Sequence, residues 1–217
     1  MWALVPLKSP QAAKSRLSPV LSADERRALY FVLAQRVIDA LRATPGISRV
    51  IVITASDEVE AFARAQSAEV LRQPQDAGTA AAFAYALEQL QPDAQRRVLM
   101  IAGDLPLLQP GALRALLDAA DDGAQVVLAP DRRGIGTNAL LCSPPQAVAP
   151  VFGDDSFIRH YAAALAHGYA TCVVEHEALG LDLDTPADLD ELQRLQARHA
   201  QPPLAALEAA LAAGVRA

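Results

Sequence analysis

Apolar residues in this chain fall into two repeating patterns. Short continuous runs, bounded by charged or turn-forming residues, alternate with longer stretches whose apolar positions lie three and four apart. The runs are Trp2–Leu7, Val50–Thr54, Glu69–Leu71, Val98–Ala102, Gln125–Ala129, Ala139–Cys142 and Ala170–Val174. They are too short for ordinary helices and predict strands, the Val98 run buried on both faces and the Glu69 run nearer an edge. Between them, Leu29, Val32, Leu33, Val37, Ile38 and Leu41 recur at helical spacing, behind a capping box of Ser22 and Glu25 and before Pro45-Gly46. Further helices are predicted after Ser56-Asp57-Glu58, over Ala80–Leu90 and Gly111–Ala120, from a cap at Asp155 or Ser156, and over Leu189–Ala200. This alternation predicts an α/β protein.

In such sheets ligands bind beyond the carboxyl ends of the strands. Asp104 directly follows the Val98 run, and Pro106 stops that strand. The loop after the first strand carries Lys8, Lys14 and Arg16, three cations in nine residues. With the first strand central and parallel, that loop opens beside Asp104, where its cations could hold a triphosphate. Further on, Asp182 and Asp184 share one face of an extended run. Thr185, Pro186 and Asp188 supply the cap, first and third positions of the last helix, so Asp188 has a structural role and Asp182 has none.

Weaker signals lie in three loops. Gly78-Thr79 opens an alanine-rich helix whose free N–H groups and small side chains would let a flat ligand or a phosphate approach. Asp131-Arg132-Arg133-Gly134-Ile135-Gly136-Thr137-Asn138 is a polar turn in which the glycines let the backbone wrap tightly and Thr137 and Asn138 offer donors, and Gly-x-Gly between two strands is commonly a hairpin. Phe152-Gly153-Asp154-Asp155-Ser156, with Arg159 and His160 one turn later, makes a helix start suited to an anion, although a lone helical histidine is more often structural.

Size and composition narrow the field. A chain of 217 residues suits one domain, taken as 1–200, with a helical appendage over 201–217. The appendage, lined by Leu204, Leu207 and Leu211, suits packing on the body or on a second subunit, as in a homodimer. Cys142 and Cys172 are too few and too far apart for a zinc site or a disulfide framework. No apolar run approaches the ~20 residues needed to span a bilayer, and Lys8 interrupts the N-terminal run, so a cytoplasmic protein without a membrane partner is expected. The net charge of −6 argues against a nucleic-acid partner but not against a small phosphorylated ligand met by a local basic cluster.

Two unit charges ~4 Å apart repel by about 4 kcal/mol at an effective dielectric of 20, so Asp104, Asp182 and Asp184 would converge only around a cation. Mg²⁺ suits carboxylates together with substrate phosphates. Facing Lys8, Lys14 and Arg16, the set fits a nucleoside triphosphate attacked at its α-phosphorus, with no protein nucleophile.

Val5-Pro6-Leu7-Lys8, Ala13–Pro19, Gly103-Asp104-Leu105-Pro106, Gly136-Thr137, Phe152-Gly153-x-x-Ser156 with Arg159-His160, and Asp182–Leu189 together resemble the phospholactate guanylyltransferase family over roughly residues 1–195. The resemblance implies one nucleotidyltransferase-like domain, Rossmann-like and of the GT-A type, with a mostly parallel mixed sheet flanked by helices. It also implies transfer of GMP from GTP to 2-phospho-L-lactate, phosphoenolpyruvate or 3-phospho-D-glycerate in coenzyme F-420 biosynthesis. Carried over, Asp104, Asp182 and Asp184 hold Mg²⁺, and Lys8, Lys14 and Arg16 meet the phosphates. Gly78 and Thr79 lie by the nucleotide, while Thr137, Gly153 and Ser156, with Arg159 and His160, lie by the acid. The chain has Gly78-Thr79-Ala80 where the family tends to Gly-Leu-Asn, and Asp154-Asp155 where it tends to Pro-Gly. Two added carboxylates beside an anion seat would weaken or reorient binding of the acid unless they face solvent, or would instead favour a hydroxyl-bearing acid such as 3-phosphoglycerate. The alternatives are a molybdopterin guanylyl- or cytidylyl-transferase, and a non-catalytic phosphate-binding domain. The absence of glycine between Lys8 and Arg16 counts against the first.

Overall fold

The seven predicted strands pair into one sheet in a computed structural model that describes residues 1–198. The strands are β1 (Trp2–Pro6), β2 (Arg49–Thr54), β3 (Glu69–Arg72), β4 (Val98–Ile101), β5 (Val126–Pro130), β6 (Thr137–Cys142) and β7 (Thr171–Val173). Their order is β3-β2-β1-β4-β6-β5-β7. All neighbours are parallel except β6, which runs antiparallel to both β4 and β5. The sheet is therefore mixed and mostly parallel, with β1 central between β2 and β4 and the Glu69 strand at one edge.

Alternate residues of each strand feed two apolar layers. Ala3, Val5, Leu99 and Ile101 pack with helices α1 (Ala23–Arg42), α2 (Asp57–Ala65), α4 (Pro110–Asp121), α6 (Glu177–Gly180) and α7 (Pro186–Arg198). Leu4, Val98, Met100 and Leu140 pack on the opposite face with α3 (Thr79–Leu90) and α5 (Ser156–Ala166). With both faces covered, a strand needs no polar side, which is why β4 is apolar throughout. The capping box forms as predicted: the Glu25 N–H donates to Ser22 Oγ, and the Ser22 N–H to the Glu25 carboxylate.

The differences from the sequence reading are local. The basic loop contains two 3₁₀ turns, Pro10–Ala12 and Ser15–Leu17, and α6 is an additional short helix. Asp155 occupies the N-cap of α5 with a left-handed backbone, φ 55°, and no side-chain cap bond, and the Ser156 hydroxyl accepts from the Thr137 N–H rather than capping the helix. The end of the last predicted helix at Ala200 and the appendage over 201–217 lie outside the described residues.

The chain polarity brings the ends of β1, β2, β3, β4, β5 and β7 and the start of β6 to one edge of the sheet. Gly103 brings two of these ends close: a Cβ there would run into Leu7 Cδ2 and lie 3.4 Å from Val5 Cγ1. Gly103→Ala should cost about 1–3 kcal/mol in urea unfolding through overpacking between the ends of β1 and β4. Wild-type stability in that variant would show the approach to be loose.

Candidate active site

At this edge the first loop turns back over the sheet. The Tyr30 hydroxyl donates to the Lys8 carbonyl at 2.6 Å and anchors its start. Lys14 then adopts a left-handed backbone, φ 55° and ψ 32°, a conformation that costs a side-chain-bearing residue about 1 kcal/mol or more. The turn sends its side chain inward, where only 5% of it remains exposed. The ammonium donates to Asp104 Oδ2 and, at 2.9 Å, to Asp184 Oδ1. Burial would lower the Lys14 pKa, but the charges of Asp104 and Asp184 outweigh it and raise the ammonium above its ordinary value. Lys8 and Arg16 are exposed on the same loop.

Asp104 follows β4, and its carbonyl accepts from the Leu183 N–H at 3.3 Å, joining the β4 end to the acidic run. Leu181 and Leu183 are buried, so Asp182 and Asp184 take the alternate positions, as predicted, although the run joins no strand. Burial, and then the charges of Asp104 and Asp184, push the Asp182 carboxyl up to about 6, while the Asn138 amide opposes the shift. The three carboxylates thus share one electrostatic site, with Lys14 bridging Asp104 and Asp184. Asp188 takes the structural role expected of it: its Oδ2 accepts from the N–H groups of Asp184 and Thr185 and from the Thr185 hydroxyl at 2.7–3.1 Å.

Gly78, φ 93°, precedes α3 without a side-chain cap, and Thr79 is the first helical residue. Gly153, φ 127°, and Arg159 are exposed near the start of α5. The remaining predicted contacts turn inward. The Thr137 N–H donates to Ser156 Oγ at 2.9 Å, and the Val151 N–H donates to His160 Nε2 at 2.9 Å. The neutral ring therefore carries its proton on Nδ1 and donates to Thr137 Oγ1, 3.0 Å away. Ser156 and His160 are 0% exposed, and both side chains engage Thr137. Asp154 and Asp155 are exposed, so they face solvent and the repulsion they would bring to an anion seat is screened.

Burial, followed by the Arg159 charge, lowers His160 to about 4. A histidine depressed from 6.5 to about 4 contributes stability that is complete above pH 6.5 and lost as pH falls through that window, about 3 kcal/mol in all. His160→Gln should flatten unfolding free energy against pH between 6.5 and 4 relative to wild type; an unchanged slope would contradict the buried neutral ring.

Among the described residues no three His, Cys, Asp or Glu side chains are gathered closely enough to hold a metal ion. The donor set nevertheless fits a hard divalent cation, since it is all carboxylate oxygen and two of its members already converge on a positive charge. The described residues also include no helix long and apolar enough to cross a membrane.

The fold is that of the nucleotidyltransferases. A solved 4-diphosphocytidyl-2C-methyl-D-erythritol synthase superposes with a TM-score of 0.60 at 14% identity, covering 89% of this chain and 97% of that one. The sequence narrows the class. The family model described as "Guanylyl transferase CofC like" matches residues 1–199. Phosphoenolpyruvate guanylyltransferase of Conexibacter woesei is 40% identical over 195 residues, 89% of this chain and 87% of that protein. The 3-phospho-D-glycerate guanylyltransferase of Phenylobacterium zucineum is 35% identical, covering 88% and 89% of the two chains. The 2-phospho-L-lactate guanylyltransferase of Methanothermobacter thermautotrophicus is 34% identical, covering 88% and 82%. The chain belongs to the CofC-like guanylyl transferase family.

Proposed function

We propose that this chain joins GMP from GTP to a phosphorylated three-carbon acid, phosphoenolpyruvate first among the candidates, in coenzyme F-420 biosynthesis. The observation that carries the proposal is the convergence of Asp104, Asp184 and Lys14, with Asp182 beside them, at the carboxyl edge of the sheet. A phosphate oxygen of the acid attacks the α-phosphorus of GTP, the bond to the β-phosphate oxygen breaks, and pyrophosphate leaves. Charge accumulates on phosphoryl oxygens throughout, so the site has to supply positive charge and in-line alignment.

Mg²⁺, held by Asp104, Asp182 and Asp184, would neutralise part of that charge. Lys14, with the exposed Lys8 and Arg16, provides the rest along the triphosphate. Gly78 and Thr79 leave the first-turn N–H groups of α3 open to the nucleotide. On the acid side, Thr137 accepts from His160 and so keeps its own hydroxyl proton to donate to the acid. Gly153 allows close approach of the backbone, and Arg159 offers a cation at the helix start. Phosphoenolpyruvate is favoured because it is the named substrate of relatives at 37–40% identity, and the solvent-facing Asp154 and Asp155 do not oppose it.

Pyrophosphate release should require GTP, Mg²⁺ and one of the three acids together, fastest with phosphoenolpyruvate. Release with GTP alone, or with a sugar phosphate and none of the acids, would refute the assignment. Turnover of all three acids at equal rates would remove the preference only.

A further inference from the structure

The acidic run has no strand to fix it, yet it holds two carboxylates together against their mutual repulsion. What restrains it comes from the β5–β6 hairpin. The Arg132 N–H donates to the Gly180 carbonyl at 2.8 Å, two residues before Asp182. The Arg132 guanidinium donates to Asp188 Oδ1 at 2.5 Å, four residues after Asp184. The other oxygen of Asp188 takes the Asp184 and Thr185 N–H groups, so the arginine grips both ends of the acidic run. Asn138, on β6, adds a second grip on the near end, its amide donating to the Leu179 and Gly180 carbonyls at 2.9 and 3.2 Å.

We propose that Arg132 is a positioning residue for guanylyl transfer, setting the Asp184 carboxylate through Asp188 without touching substrate. The proposal rests on the functional reading above. Asp188 is 11% exposed on its side chain, and the arginine adds a charge and a directed N–H to the Asp184 and Thr185 donors already on its carboxylate. Loss of the guanidinium removes the donor that the hairpin supplies to Asp188 Oδ1, which leaves the carboxylate on its local Asp184 and Thr185 donors and unties that end of the acidic run from the β5–β6 hairpin. Misplacing a catalytic carboxylate by about 1 Å is enough to cost turnover on the order of 10²-fold.

The test compares Arg132→Met, which keeps the stem and removes the charge and donors, with Arg132→Lys, which keeps the charge. Hydrogen exchange over residues 180–190 of the full chain is read alongside kcat and KM. Arg132→Met should exchange the Asp184 and Thr185 amides about tenfold faster, and lower kcat by about 10- to 100-fold with the KM for GTP within about twofold. Arg132→Lys should recover most of both, and it carries the comparison if the methionine variant does not fold. Faster exchange with full kcat would make the clamp merely structural. Lost kcat with unchanged exchange, or a loss confined to KM, would place Arg132 on the substrate; each result overturns the proposal. A wild type that turns over no acid would defeat the functional reading, whereas exchange would still report on the clamp.

Discussion

Asp182→Asn should lower turnover by about 10³-fold while leaving the protein at least as stable as wild type in metal-free buffer. Burial and its two acidic neighbours raise the Asp182 carboxyl from 3.8 to about 6. A carboxyl raised in the folded state binds its proton more tightly there than in the unfolded chain. Its penalty therefore grows as pH rises from 3.8 to about 6 and is complete above, of the order of 2–3 kcal/mol. Asparagine removes that penalty. It also removes a charge needed opposite the polyphosphate, worth several kcal/mol of barrier or about 10³-fold in rate. Thermal unfolding with and without EDTA and a single-turnover assay check the two halves. A variant that is less stable and still active would show that Asp182 serves the fold.

Lys14→Met should fail in both respects. The methionine leaves Asp104 and Asp184 facing each other with no cation between them. Breaking a buried pair costs about 3–5 kcal/mol, but Asp184 is 42% exposed and partly screened by water, so about 2 kcal/mol is expected here. Turnover should drop by about 10²-fold or more as the triphosphate loses its buried cation. Because the lost charge sits where a divalent ion would act, Mg²⁺ should raise the melting temperature of Lys14→Met more than that of wild type. An equal response in the two proteins would separate the lysine site from the metal site.

The strands were legible because each is an uninterrupted apolar run closed by a turn residue, and the capping box because its two partners lie three residues apart. The antiparallel course of β6 left little trace: β5 and β6 are buried on both faces, so neither alternates, and only the Gly134–Gly136 turn hinted at a hairpin. Three cations in one loop looked alike in sequence, yet Lys14 alone turns inward, through a left-handed backbone that no periodicity encodes. Its partners lie 90 and 170 residues away. Arg132 and Asn138 read as turn residues for the same reason, since their work is done on Gly180 and Asp188 across the fold. Ser156 and His160 were recognisable as special but not as buried, because an inward-facing polar network and a ligand seat draw on the same residue types.

The proposed chemistry requires Asp104, Asp182, Asp184 and Lys14 to form one shared cation site. Crystals grown with GTP and Mn²⁺ in place of Mg²⁺, examined by anomalous scattering, test it most directly. A manganese peak should lie about 2.2 Å from oxygens of Asp104 and at least one of the other two carboxylates, with the Lys14 ammonium moved onto the triphosphate. A peak remote from all three carboxylates, with Lys14 still bridging Asp104 and Asp184 beside bound nucleotide, would contradict it.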